Sequence, residues 1–215
     1  MQVEIWSDVV CPWCYIGKRR FEDALARFAH ADEVDVVWRS FELDPNAPTS
    51  GTVDLVGRLA SKYGVSRDEA EAMNERVSRI ADDEGLDFRL DIARPGRTFD
   101  AHRLIHLGAA RGRQDEVKEA VLAAYQTQGR AIADPDVLVD MAVAAGLDED
   151  EVREVLGGDR YAADVRADER EAGELGVSGV PFFVLDRRYA VSGAQASDVL
   201  LAALEQAWGD RSPLV

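Results

Sequence analysis

Cysteine is scarce in this chain: 215 residues contain two, Cys11 and Cys14, and none after them. That scarcity excludes a disulfide framework as the basis of the fold, and it leaves no second pair to complete a finger-type zinc site. Lysine is nearly as rare, since Lys18, Lys62 and Lys118 are the only lysines among 25 basic side chains. Positive charge is outnumbered by 41 acidic residues, for a formal net charge of −16. Such a surface repels phosphate backbones and anionic lipid headgroups, so neither nucleic acid nor a membrane is an expected partner. Long apolar runs are also missing, and nothing approaches a membrane span. The N-terminus enters a strand-like run directly, without the basic region, apolar run and small-residue cleavage site of a secretory leader. The expected location is therefore the cytoplasm, where structural disulfides are rare and a cysteine pair is better explained as catalytic or metal-binding. There is no internal repeat and no low-complexity tract.

What remains is ordinary for a folded chain. Hydrophobic residues make up 47% and charged residues 31%, which argues against disorder, coiled coil and collagen. The acidic stretch from Asp148 to Glu174 reads as solvated helix faces.

The pattern opens as strand, tight turn, helix, strand. Val3 to Val10 reads as a strand running up to Cys11, and Cys14, Phe21, Leu25 and Phe28 follow at helical spacing. Val34 to Phe41 alternates as a second strand, with Val34, Val36, Trp38 and Ser40 on one face. After the turn cluster Asp44-Pro45-Asn46-Ala47-Pro48, no further strand is expected until about Val180. The middle is helical. Val53, Val56, Leu59 and Tyr63 form one stripe, and Ser66 with Glu69 forms a capping box ahead of Met73, Val77 and Ile80, stopped by Gly85. Further helices carry Ala101, Leu104, Ile105 and Gly108, then Val117, Val121 and Ala124. Asp134 as cap before Pro135 opens another, carrying Leu138, Met141 and Ala145. Shorter pieces run through Leu156 and from Tyr161 to Leu175. The end returns to a hairpin, Pro181 to Leu185 and Tyr189 to Val191 around Asp186-Arg187-Arg188, closed by a helix with Leu200, Leu204, Ala207 and Trp208. The fold class is α/β, β-α-β then β-β-α, with a large all-helical insertion.

Disulfide exchange needs one accessible thiolate to attack and a second thiol within about one helical turn to resolve the mixed disulfide. Cys11-Pro12-Trp13-Cys14 has that spacing. At a helix start, free backbone N–H groups and the helix dipole favour an anion, and Pro12 suits the first turn because it has no N–H to leave unpaired. Cys14 lies on the inward stripe and Cys11 precedes it, which makes Cys11 the nucleophile and Cys14 the resolving thiol. With Lys18 and Arg19 a turn or more away, a moderately depressed Cys11 pKa is expected. Such a couple rests largely reduced in a reducing cytosol, which favours reduction or reshuffling of substrate disulfides. A zinc site would have to recruit His30, His102, His106 or carboxylates, and no metal is expected. Asp8 is read as fixing the turn through backbone bonds in preference to relaying a proton. Glu42 and Asp44 are further candidates on weaker grounds. His102 and His106, four apart on one helix face, read as satisfied structural histidines, because a third strong ligand is missing.

Together, Cys11-Pro12-Trp13-Cys14-Tyr15, the helical middle, Gly179-Val180-Pro181-Phe182-Phe183 and Ser192-Gly193-Ala194-Gln195 resemble the DsbA-like oxidoreductases of the thioredoxin superfamily, most closely the FrnE-like branch. The resemblance spans nearly the whole chain. It implies a discontinuous thioredoxin-like domain, 1–45 and 176–215, split by a helical insertion domain, 46–175. It implies that Val180-Pro181 is a cis-proline loop facing Cys11, where the Val180 backbone pairs with an extended substrate, and that Trp13 offers an apolar contact beside it. The implied partners are a disulfide-containing protein or a small-molecule thiol or disulfide. No cofactor is implied beyond the redox-active disulfide and a thiol co-substrate. The layout is also similar to 2-hydroxychromene-2-carboxylate isomerases and kappa-class glutathione transferases, in Asp8 and in Thr98-Phe99-Asp100-Ala101-His102-Arg103-Leu104. Those families carry serine where this chain has Cys11. The alternative is therefore a thiol-dependent isomerase or transferase of a small aromatic or polyketide-type substrate.

Overall fold

The computed structural model describes residues 1–49 and 54–211. Val53, assigned from the sequence to a helical stripe, lies outside them. A four-stranded mixed sheet has the order β2-β1-β3-β4. β1 (Gln2–Ser7) lies parallel to β2 (Asp35–Ser40) and antiparallel to β3 (Phe182–Leu185), which pairs antiparallel with β4 (Tyr189–Ser192). Val3 sits opposite Val36 and Leu185, and Ile5 opposite Trp38 and Phe183. As an inner strand β1 is covered on both faces. Val3 and Ile5 enter the main core, while Trp6 packs on the other face with Ala172, Val177 and Val184. Buried Glu4 is held there by Arg39 and Arg187.

β1 ends at Ser7, earlier than the sequence indicates. The Asp8 side chain accepts the Val9 N–H at 2.7 Å, and Cys11 N–H reaches the Asp8 carbonyl at 3.4 Å. These local bonds draw Asp8-Val9-Val10 into a turn that delivers Cys11 to the start of α1 (Pro12–Arg27). The helix lays Cys14, Phe21 and Ala24 against the sheet, with α9 (Ser197–Gly209) alongside and Phe28 edge-on to Trp208 at 5.7 Å.

Between β2 and β3 the described residues hold seven helices: α2 (Leu55–Tyr63), α3 (Arg67–Asp83), α4 (Phe99–Ala110), α5 (Gln114–Gln126), α6 (Pro135–Ala144), α7 (Glu149–Gly157) and α8 (Ala162–Glu174). Two of them start at the caps read from the sequence: α3 at a complete Ser66–Glu69 capping box, and α6 at Asp134 ahead of Pro135, accepting from Asp136 N–H. Gly85, at φ 75°, follows the end of α3. Arg103, buried on α4, donates to the Arg160 and Gly158 carbonyls at 2.9 and 2.7 Å and to that of Val155, satisfying the end of α7. One buried cluster continues from Val3, Ile5 and Phe183 into Leu104, Val117 and Leu138. The helices also seal the outer edge of β2. Gln114 brackets Trp38 through its N–H and C=O at 3.0 and 2.9 Å, and Asp168 accepts the Ser40 N–H at 2.8 Å. Among the described residues no helix is long and apolar enough to cross a membrane.

Candidate active site

Cys11 is the N-cap residue of α1, extended at φ −84° and ψ 113°, with Pro12 at the first helical position and no acidic residue in the first turn. Nothing at this helix mouth competes with an anion for the free N–H groups. The Val180–Pro181 bond is cis, and the Val180 carbonyl accepts from Cys11 Sγ at 3.5 Å. Cys11 is 5% exposed and lines the cleft, whereas Cys14 is fully buried and does not. Both are free thiols. Gly17, which the sequence reading passed over, is what lets α1 come so near the proline loop: a Cβ there would stand 2.7 Å from Pro181 Cγ.

Asp8 is wholly buried beneath the turn, where its carboxylate accepts the Val9 and Leu43 N–H groups at 2.7 and 2.8 Å and faces His102 Nε2 at 3.2 Å. Burial alone would raise this carboxyl. The His102 ring, the Leu43 N–H and Thr98 outweigh it and hold the pKa below the usual range. Burial lowers the pKa of His102 in spite of Asp8. At neutral pH the ring is thus a neutral Nε2–H donor, and the charge of the pair resides on Asp8. His106 turns to a different acid, Asp168 at 3.0 Å, and to Ser40 at 3.1 Å. The two histidines share a helix face but do not converge on one point.

The two thiols titrate as a unit. Burial opposes ionisation of Cys14, but the S–H of Cys11, the Lys118 ammonium and the Ser7 hydroxyl favour a thiolate there and bring it below the ordinary thiol value. Cys11 is pushed well above that value, first by its hydrogen bond to the Cys14 sulfur, then by burial and by the charge it would face on Cys14. The direction expected from the sequence for Cys11 is met at Cys14 instead, within a pair whose two thiols share their first ionisation. Among the groups that favour a thiolate on Cys14, the Cys11 S–H comes first and the Lys118 ammonium second, and α5 brings in Lys118 from far along the sequence. Lys18 and Arg19 are engaged elsewhere, Lys18 with Glu22, Asp115 and Glu119 and Arg19 with Glu22 and Glu119.

A cleft of about 530 Å³ opens in front of Cys11, between the α1 mouth, α2, α3 and the loop around Gly96. Its walls are largely apolar, including Val10, Trp13, Leu43, Leu59, Tyr63 and Val77, with Arg58 and Lys62 on α2 adding positive charge. Trp13 is 38% exposed and lines this cleft. Arg58 pairs with Asp44 at 2.6 Å, while Lys62 has no carboxylate partner among the described residues. A groove of about 650 Å³ between α3 and residues 88–93 is edged by acidic side chains and reaches neither cysteine.

Glu42, just ahead of Leu43, is buried with Arg166 at 2.7 Å, and its Oε2 lacks a hydrogen-bond partner. Burial pushes its carboxyl up to about 7 even though Arg166 opposes the rise. An acid whose folded pKa is raised gives stability that is present below its unfolded pKa and lost as pH rises through the window from 4.5 to about 7. Glu42→Gln, which mimics the protonated form, is expected to raise the melting temperature at about pH 8 and to leave it unchanged at about pH 5. Thermal melts of the two proteins at both pH values check this, and an equal effect at both would contradict it.

A paired thiol at a helix mouth, opposite a cis-proline loop on this sheet, defines a thioredoxin-fold protein of the thiol oxidoreductase kind. The chain belongs to the DSBA-like thioredoxin domain family, whose model matches residues 2–205. It is similar to the probable DsbA oxidoreductase SCO1869 from Streptomyces coelicolor, with 51% identity and a TM-score of 0.95 over 100% of this chain and 93% of that one. The fold alone is shared with the cytosolic disulfide reductase DsbM from Pseudomonas aeruginosa with GSH, at 19% identity and a TM-score of 0.67 over 97% and 100% of the two chains. It is likewise shared with a 2-hydroxychromene-2-carboxylate isomerase, at 15% identity and a TM-score of 0.68 over 97% and 95%.

Proposed function

We propose that this protein exchanges thiols and disulfides through Cys11-Pro12-Trp13-Cys14, with Cys11 attacking and Cys14 resolving. The observation that carries the reading is the position of Cys11 Sγ at the α1 mouth, 3.5 Å from the Val180 carbonyl, with Cys14 sealed behind it. Charge resting on Cys14 in the free protein is compatible with attack by Cys11, because the two thiols share one readily exchanged proton. Its transfer to Cys14 leaves the thiolate on the sulfur that meets the substrate. Val180 and Pro181 hold the substrate strand, Trp13 contacts it, and Asp8 and Pro12 keep the turn in shape. The working compartment is the cytoplasm, where the couple runs toward reduction or reshuffling. The disulfide itself is the redox group, with a small-molecule thiol as co-substrate.

The apolar cleft favours a small disulfide, or one presented on an extended segment, over a disulfide set in a folded surface. A thiol-dependent isomerase or transferase of a small aromatic molecule also draws on that cleft, and turnover surviving the loss of Cys14 would be its signature. The deciding experiment is a redox titration against graded thiol-disulfide buffer, with free thiols trapped by alkylation and read by mass. One reversible two-electron transition joining both cysteines is expected. Its absence would move the isomerase reading ahead.

A further inference from the structure

Lys118 on α5 is one of three lysines in the chain, and it is completely buried. Among the described residues its only hydrogen bond is to the Ser7 carbonyl, at 3.4 Å, and the Trp38 ring lies 5.4 Å away. Among the described residues no carboxylate comes within ion-pair distance of it. The contrast is Lys18, equally buried and near the same indole, which is surrounded by Glu22, Asp115 and Glu119. A buried ammonium without a counter-charge is expensive to keep. Burial lowers the pKa of Lys118 to about 8, opposed by Cys14, Asp8 and Cys11 and reinforced by Lys18. The titratable groups facing it are thus Cys14 and Lys18 on α1, Cys11 at its N-cap and Asp8 in the turn, with His102 on α4 feeling it in return. Of these, only the thiols change charge when a disulfide forms.

We propose that Lys118 holds a proton for as long as the dithiol is reduced and releases it when the disulfide closes, so that its charge follows the redox state of Cys11 and Cys14. This rests on the reading of those cysteines as the redox pair. On reduction two substrate thiols, RSH, become RSSR. Their two electrons open the Cys11–Cys14 bond, one proton goes to Cys11 and the other to Lys118, and the Cys14 thiolate lies beside the new ammonium. In the reverse direction the Cys14 thiolate attacks the mixed disulfide on Cys11. The Cys11–S–S–Cys14 bond forms as the bond to RS⁻ breaks; the proton that Lys118 can no longer hold leaves to solvent, and RS⁻ takes up a proton from solvent. Lys118 acts through the thiols and is a positioning residue in this scheme.

The test compares the wild type with Lys118→Met and Lys118→Arg, each oxidised and reduced, by ultraviolet thiolate absorbance against pH and by thermal melting. In reduced Lys118→Met the first thiol ionisation is expected to weaken by about tenfold or more, while the oxidised form melts higher than wild type because the apolar chain replaces a buried amine. Lys118→Arg should keep the thiolate but lower the melting point of the oxidised form, since a guanidinium cannot give up its proton. An unmoved thiolate titration in Lys118→Met, or equal loss of stability in both redox states, would overturn the proposal and leave a packing role. An oxidised Lys118→Arg as stable as wild type would overturn proton release. If the wild type shows no two-electron transition at all, the dithiol reading fails first, and the proposal with it.

Discussion

Cys11→Ser is expected to abolish disulfide turnover, with a loss on the order of a thousandfold or more, because no other thiol can open a covalent route to the substrate. Cys14→Ser should behave differently. Cys11 still reaches the cleft and still attacks, but the mixed disulfide cannot be resolved and the adduct accumulates. The asymmetry comes from burial: Cys11 is 5% exposed and Cys14 is not exposed. Mass spectrometry after mixing each variant with a small aromatic disulfide separates the two, with the adduct expected on Cys14→Ser alone. Equal residual turnover in both variants, or an adduct on Cys11→Ser, would remove the assignment of roles. The Cys14 replacement also takes away a thiol that interacts with Lys118, so adduct formation is best followed over a range of pH.

Asp8→Asn is the second large effect. Both carboxylate oxygens accept from fixed donors, Oδ1 from Val9 N–H and the His102 ring and Oδ2 from Leu43 N–H. Either orientation of an amide would turn its NH₂ toward a backbone N–H. A loss of about 2–4 kcal/mol in unfolding free energy is expected, typical of breaking a buried, hydrogen-bonded charge. The pH dependence has a definite sign. Asp8 has its folded pKa depressed, so its contribution is present above the ordinary value of 3.8 and lost as pH falls through the folded pKa. The variant should therefore lose part of the acid limb of the wild-type stability curve, which denaturant melts between about pH 2 and pH 7 would follow. A variant as stable as wild type at neutral pH would show that Asp8 is not the anchor of the turn.

Periodicity and caps exposed most of the fold in the sequence, because each signal is local. The Ser66–Glu69 box, Asp134 before Pro135 and the apolar spacing of α1 concern neighbouring residues, so they survive without tertiary information. The first strand was read too long, since Val9 and Val10 look like strand residues until the Asp8 side chain is seen bonding the backbone beside it. Val34 to Phe41 was close to the mark, trimmed to Asp35–Ser40. The histidines could be named but not paired, because their carboxylates, Asp8 and Asp168, stand 94 and 62 residues away in sequence. Gly17 carried no signal, since the side chain it excludes would meet Pro181. Lys118 did carry one. It sits on the same helix stripe as Val121, Leu122 and Tyr125, all buried, and a lysine there is either misplaced or functional.

By itself the sequence determined the order of strands and helices, the cysteine pair at a helix start and the proline before the third strand, all properties of contiguous residues. Only the tertiary structure decided which charges and donors surround the two sulfurs. Ionisation depends on every charge and dipole within a few ångströms. Those around Cys11 and Cys14 arrive from β1, the following turn and α5, brought together when the sheet and the inserted helices bury a common core.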